Sequence, residues 1–147
     1  MLKAIGIIAV ITVSTLIGFK LSENLRVRYK KLTDFTLLIG DISDRIRTGT
    51  AFNELIQNEK AKEIVELNGL KAIVKGEGLT SKDKVVLEDF FMSLGLGDTE
   101  SEIKKCETYL SLVKKQRAEA EEQVKAKAGL YSKLGFFAGL FVAVILV

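Results

Sequence analysis

The stretch AIGIIAVITVSTLIGF, Ala4 to Phe19, carries no charge, and neither does LGFFAGLFVAVILV, Leu134 to Val147. Among all the charged residues, only Lys3 lies outside the interval between these tracts. A water-soluble domain has difficulty covering two such segments at its ends, because terminal segments usually lie exposed. A bilayer accommodates them. The expected architecture is therefore all-α: an antiparallel helical bundle with membrane helices at both termini. An anchor is expected over residues 1–21, a cytoplasmic helical body over 22–128, and a second membrane helix over 129–147.

Working outward from the tracts, the first holds 16 residues, about 24 Å as helix, and extending it to Met1–Leu21 approaches the ~30 Å of a hydrocarbon core. Lys3 before an apolar run also suits a secretory signal, but Phe19-Lys20-Leu21-Ser22 offers no small-x-small cleavage site, so an uncleaved anchor is expected. The second tract holds 14 residues, about 21 Å. It spans only if it begins near Ala128, with Lys133 reaching toward the headgroups and Tyr131 at the interface. Gly135, Gly139 and Ala143 recur every fourth residue and form one smooth face, the pattern that lets membrane helices approach closely. Ser14 and Gly18 offer a shorter version on the first tract.

Basic residues cluster beside the tracts. Lys20 to Arg47 holds seven basic and four acidic residues, and Glu100 to Lys133 holds eight and six. Glu54 to Asp98 reverses the balance, with six basic and nine acidic. Arg26, Arg28, Lys30, Lys31 and Lys133 are thus expected to meet anionic lipid headgroups. The positive-inside rule places the body in the cytoplasm and both termini across the membrane. A net charge of only +3 argues against nucleic acid as a partner.

The sequence holds no proline, which favours long helices. Leu25, Leu32, Phe35, Ile39, Ile42 and Ile46 keep three-four spacing, so the first helix is expected to run on to Thr48-Gly49, where Gly49 stops it and Thr50 caps the next. Ala51 to Asn58, Ala61 to Val74 and Ser81 to Leu94 are read as shorter helices, with no strand among them. After the Gly95-Leu96-Gly97-Asp98 turn, Thr99 and Glu102 form a capping-box pattern opening a helix of some 30 residues. Its seam would use Ile103, Cys106, Leu110, Val113, Ala120, Val124 and Tyr131, and it would feed directly into the second tract.

Little here suggests chemistry. Histidine is absent, removing the commonest general base and metal ligand. The single Cys106 reads as a packing residue. Gly76-Glu77-Gly78 and Gly95-Leu96-Gly97 lack the lysine and hydroxyl residue of a phosphate-binding loop. Asp41 with Asp44, Glu63 with Glu66, and Glu119 with Glu122 have basic neighbours at helical spacing, so surface ion pairs are expected, not metal ligation. No catalytic residue, cofactor or metal is expected, and the protein is read as a non-enzyme.

Several motifs resemble the stage III sporulation protein AB family. Met1-Leu2-Lys3 opens an apolar leg closing on Ile17-Gly18-Phe19. Ile46-Arg47-Thr48-Gly49-Thr50, with Phe52 and Glu54-Leu55, is similar to the family's helix-breaking segment, with Ala51 and Phe52 departing from its Thr-Pro-Leu. Leu87 to Asp98 resembles its Phe-Gly-x-x-Leu-Gly-x-x-Asp run, with Phe91 where glycine is usual. Tyr131 to Leu140 resembles its Lys-Ser-Leu-Gly-x-x-x-Gly-Leu ending, with Ser132 and Lys133 exchanged. The resemblance implies a platform of the channel joining mother cell and forespore, seated in the outer forespore membrane. It further implies a body like the type II secretion F domain, other channel components and a secretion-like ATPase as partners, and possible self-association. The competing reading is a hairpin whose terminal helices oligomerise into a pore.

Overall fold

The computed structural model describes residues 2–49, 65–68, 71–74 and 76–146. Without proline or a helix-ending glycine in its path, the first apolar tract continues into the three-four pattern beyond it. Both become one helix, α1, over Leu2–Arg47. It stops where Gly49 adopts φ +80, with the Gly49 N–H donating to the Ile46 carbonyl at 3.1 Å. Two strands follow, β1 (Val65–Asn68) and β2 (Lys71–Val74), then α2 (Ser81–Ser93) and α3 (Thr99–Gln123). A π-helical turn over Val124–Ala128 leads into α4 (Gly129–Leu146). The helical class expected from the sequence holds, with the hairpin as its exception.

Two expectations need correction. Ala61 to Val74 is not helical where it is described: β1 and β2 pair antiparallel, Val65 opposite Val74 and Asn68 opposite Lys71. Val65-Glu66-Leu67-Asn68 alternates apolar with polar, the period of a strand. The last helix does feed directly into the second tract, since Thr99–Gln123, the π-helical turn and Gly129–Leu146 follow one another without a break. Second, among the described residues no helix is long and apolar enough to cross a membrane. Ala4 to Phe19 supplies only about 24 Å, and Lys133 leaves α4 an uncharged remainder shorter still, against the ~30 Å of a hydrocarbon core. The expected helix over Ala51 to Asn58, and the Thr50 cap, lie outside the described residues.

The chain divides into two compact units, Met1–Tyr29 with Ala120–Val147, and Lys30–Glu119. The second unit has a conventional core. Leu32, Phe35, Ile39 and Ile42 from α1 are buried, as are Leu87, Phe90, Phe91 and Leu94 around α2, and Cys106 and Val113 on α3. Phe90 is its hub, with ring centroids 5.1 Å from Phe91 and 5.4 Å from Tyr109. β2 rests on α2, and its Val74 is buried. A reciprocal cap starts α2: the Thr80 hydroxyl accepts the Asp83 N–H, and the Asp83 carboxylate accepts the Thr80 N–H at 2.9 Å. Fully buried Asp83 is tolerable because the cap satisfies it.

Candidate functional site

In the unit formed by the two ends, the smallest residues sit innermost. Built onto Gly18, a Cβ would meet the Tyr131 carbonyl oxygen at 2.6 Å and the Gly135 Cα at 3.0 Å. On Gly135 it would meet the Ser14 carbonyl oxygen at 2.7 Å, and on Gly139 the Ile11 Cα at 2.9 Å. Backbone therefore touches backbone, and α1 runs antiparallel to α4. Gly135 and Gly139 both take part in this seam, and Ser14 and Gly18 answer from the other helix. The side chain of Ala143 lies outside the described residues. Two hydroxyls in the first tract are satisfied within the helix: Thr12 and Thr15 donate to the Ile8 and Ile11 carbonyls, each at 2.8 Å.

Along the two uncharged tracts, large apolar side chains face outward. Val13, Leu16, Ile17 and Phe19 on α1 are exposed, as are Phe136, Phe137, Phe141, Val144 and Ile145 on α4. Among the described residues of this unit, the buried ones are Gly18, Ser22, Arg28, Ala120 and Gly139. Polarity is thus inverted relative to a water-soluble pair of helices.

The basic residues separate into two groups. Arg26, Lys30 and Lys133 are exposed and Lys31 is half-buried. Arg28 is different, being only 6% exposed and donating from Nη1 to the Gln123 Oε1 at 3.0 Å. It ties α1 to the start of the π-helical turn, so the expectation that it meets headgroups is corrected. Nothing in the spacing of Arg26 and Arg28 marks one as buried; only the pairing of the helices does.

A second polar cluster secures the turn between α2 and α3. Gly95 holds φ +84, which side chains with a Cβ rarely adopt. Glu102 accepts the Gly95 N–H at 2.9 Å and the Gly97 N–H at 2.8 Å, and Lys105 Nζ at 2.8 Å. Lys105 also donates to the Ser93 carbonyl at 2.9 Å. Burial by itself would push the Glu102 carboxyl up. The Lys105 contact and the two backbone N–H groups outweigh burial and hold its pKa below the ordinary value. The expected capping box of Thr99 with Glu102 is therefore replaced by a longer reach, from Glu102 back to the glycines. The Glu102 N–H itself donates to the Asp98 carbonyl at 2.9 Å, so Asp98 stands at the helix start.

Burial, reinforced by the Glu102 charge, pushes the Cys106 thiol up to about 11, so it stays protonated at neutral pH. Among the described residues no three His, Cys, Asp or Glu side chains gather to hold a metal ion. Asp41 pairs with Arg45 at 3.0 Å, and Lys125 pairs with Glu121 at 2.7 Å.

A family model described as stage III sporulation protein AB matches residues 50–147. The match takes in the Gly95 turn, α2, α3 and α4, including Gly135 and Gly139, and leaves out α1 with its Met1-Leu2-Lys3 opening. No curated protein and no solved structure gives a significant match.

Proposed function

The chain belongs to the stage III sporulation protein AB family, and on that premise we propose that it is a non-enzymatic, membrane-seated platform of the channel joining mother cell and forespore. The paired terminal helices hold it in the outer forespore membrane. The body faces the cytoplasm and offers helical surfaces to other channel components, a secretion-type ATPase among them.

One observation carries the membrane part of this reading: the end unit is inside-out. Large apolar side chains face outward while glycine, serine and arginine are enclosed. In water such a surface drives aggregation. In lipid it is the ordinary arrangement, since small residues then bring helices together and large ones meet acyl chains. The uncharged lengths are short, so the pair seats by local thinning of the bilayer and by lysine side chains extending to the headgroups.

Fractionation of sporulating cells tests this directly. The full chain should stay with membranes through alkaline carbonate washing, and release into the supernatant would contradict the proposal. Gly135→Leu with Gly139→Leu should lower spore yield while the protein still accumulates; an unchanged yield would remove the seam from the functional account. Liposomes carrying the protein should retain an entrapped dye, whereas leakage would favour a pore.

A further inference from the structure

Charge divides sharply between the two units. The end unit, Met1–Tyr29 with Ala120–Val147, holds seven basic and three acidic residues, whereas Lys30–Glu119 holds fifteen and sixteen. The whole positive excess thus belongs to the end unit. The contacts between its helices fix where those charges stand. Gly139 lies level with Ile11, Gly135 with Gly18, and Gln123 with Arg28. Carried along this antiparallel register, Lys20 stands level with Lys133, and Arg26 with Lys125 and Lys127. Six residues separate Lys20 from Arg26, so the two levels are about 9 Å apart on the helix axis.

Lys20, Arg26, Lys127 and Lys133 are all exposed, and among the described residues none of the four has an ion-pair partner. Lys125 differs, being engaged by Glu121 at 2.7 Å, and Arg28 is enclosed. The four sit at the border of the exposed apolar surface: Phe19, Leu21, Leu130 and Leu134 lie beside the upper level and are exposed. A cationic band against an apolar one is complementary to a phosphate-bearing headgroup above its acyl chains. A nucleic acid would match the charge but not the adjoining apolar surface.

We propose that Lys20, Arg26, Lys127 and Lys133 form one collar, contributed by both helices at matching levels, that binds the headgroups of anionic phospholipids. This rests on the membrane-seated reading above and adds a lipid preference to it. Each cation near an anionic surface contributes about a fivefold change in partitioning, and salt weakens the effect.

The test is a competition. Full-length protein diluted from detergent is offered equal amounts of phosphatidylcholine vesicles and vesicles with about a quarter phosphatidylglycerol, distinguished by dye and separated by flotation. The native chain should favour the anionic vesicles by more than tenfold, and less so as salt is raised. The Lys20→Gln, Arg26→Gln, Lys127→Gln, Lys133→Gln chain should distribute nearly evenly. The Lys20→Arg, Lys127→Arg, Lys133→Arg chain should keep the preference, which shows that charge and not side-chain identity is read. Helical circular dichroism matching the native chain identifies folded variants. Equal flotation of the native chain with both vesicle types overturns the collar and leaves the membrane reading intact. Failure to float with either overturns the membrane reading itself. A preference retained by the glutamine chain also overturns the collar.

Discussion

The body and the end unit are both built from helices, yet they bury opposite kinds of residue. In the body, Phe35, Phe90, Leu32 and Leu87 are enclosed, and the buried carboxylates Asp83 and Glu102 serve the turns at helix starts. In the end unit, Gly18 and Gly139 are enclosed and Phe136, Phe137 and Phe141 lie outside. Interlocking side chains hold the first together, through apolar surface withdrawn from water. Close backbone contact holds the second, and in the lipid proposed for it hiding a phenylalanine would bring no gain. Under the proposed membrane seating, one chain is fitted to two solvents, and glycine and phenylalanine exchange roles between them.

The largest effect should follow from removing an aromatic in the body. Phe90→Ala leaves a void beside Phe91 and Tyr109 and should cost about 3–5 kcal/mol, seen as a lower thermal midpoint of the full chain in detergent. In the end unit, the destabilising change is an addition. Gly135→Val places atoms against the Ser14 carbonyl and should cost about 1–3 kcal/mol. Hydrogen exchange should then quicken in α4 while α2 stays protected. If α2 loosened equally, the two units would not be held by separate means.

Equal and then smaller effects belong to the turn. Gly95→Val forces a β-branched residue to φ +84 and should cost about 1–3 kcal/mol. Glu102 adds a pH dependence whose sign is fixed by its lowered pKa. Its contribution is complete above the ordinary glutamate pKa and is lost as pH falls through the lower folded value. Glu102→Gln should flatten that acid limb of the stability curve; an unchanged limb would assign the acid sensitivity elsewhere. Lys104→Gln should be silent by thermal melting, because its partner Glu100 at 3.2 Å is as exposed as it is.

Much of this was legible from residue order. The three-four spacing of Leu32, Phe35, Ile39 and Ile42 located the α1 core face, and Gly49 marked its end. The glycine repeat of α4 pointed to a smooth face because spacing alone determines it. What escaped depended on contacts between distant segments. Arg28 is enclosed and donates to Gln123, 95 residues away in the chain, and no local pattern encodes that. Glu102 sits where a capping box would use it, and its preference for Gly95 and Gly97 depends on the geometry of a loop. The strands were missed because Ile64, Val65, Leu67, Leu70 and Ile73 also fit a helical face, and such short runs satisfy either period.

Tryptophan is absent from the natural chain, so a single introduced indole reports one position without background. Phe137→Trp places it on the outer surface of α4, and Leu37→Trp on the exposed surface of the body, where Leu37 is 69% exposed. In vesicles containing brominated phospholipid, the tryptophan at 137 should emit at short wavelength and be strongly quenched. The one at 37 should emit at long wavelength and remain bright. Equal, water-like emission from both positions, with no bromine quenching at 137, would contradict lipid as the solvent of the paired ends.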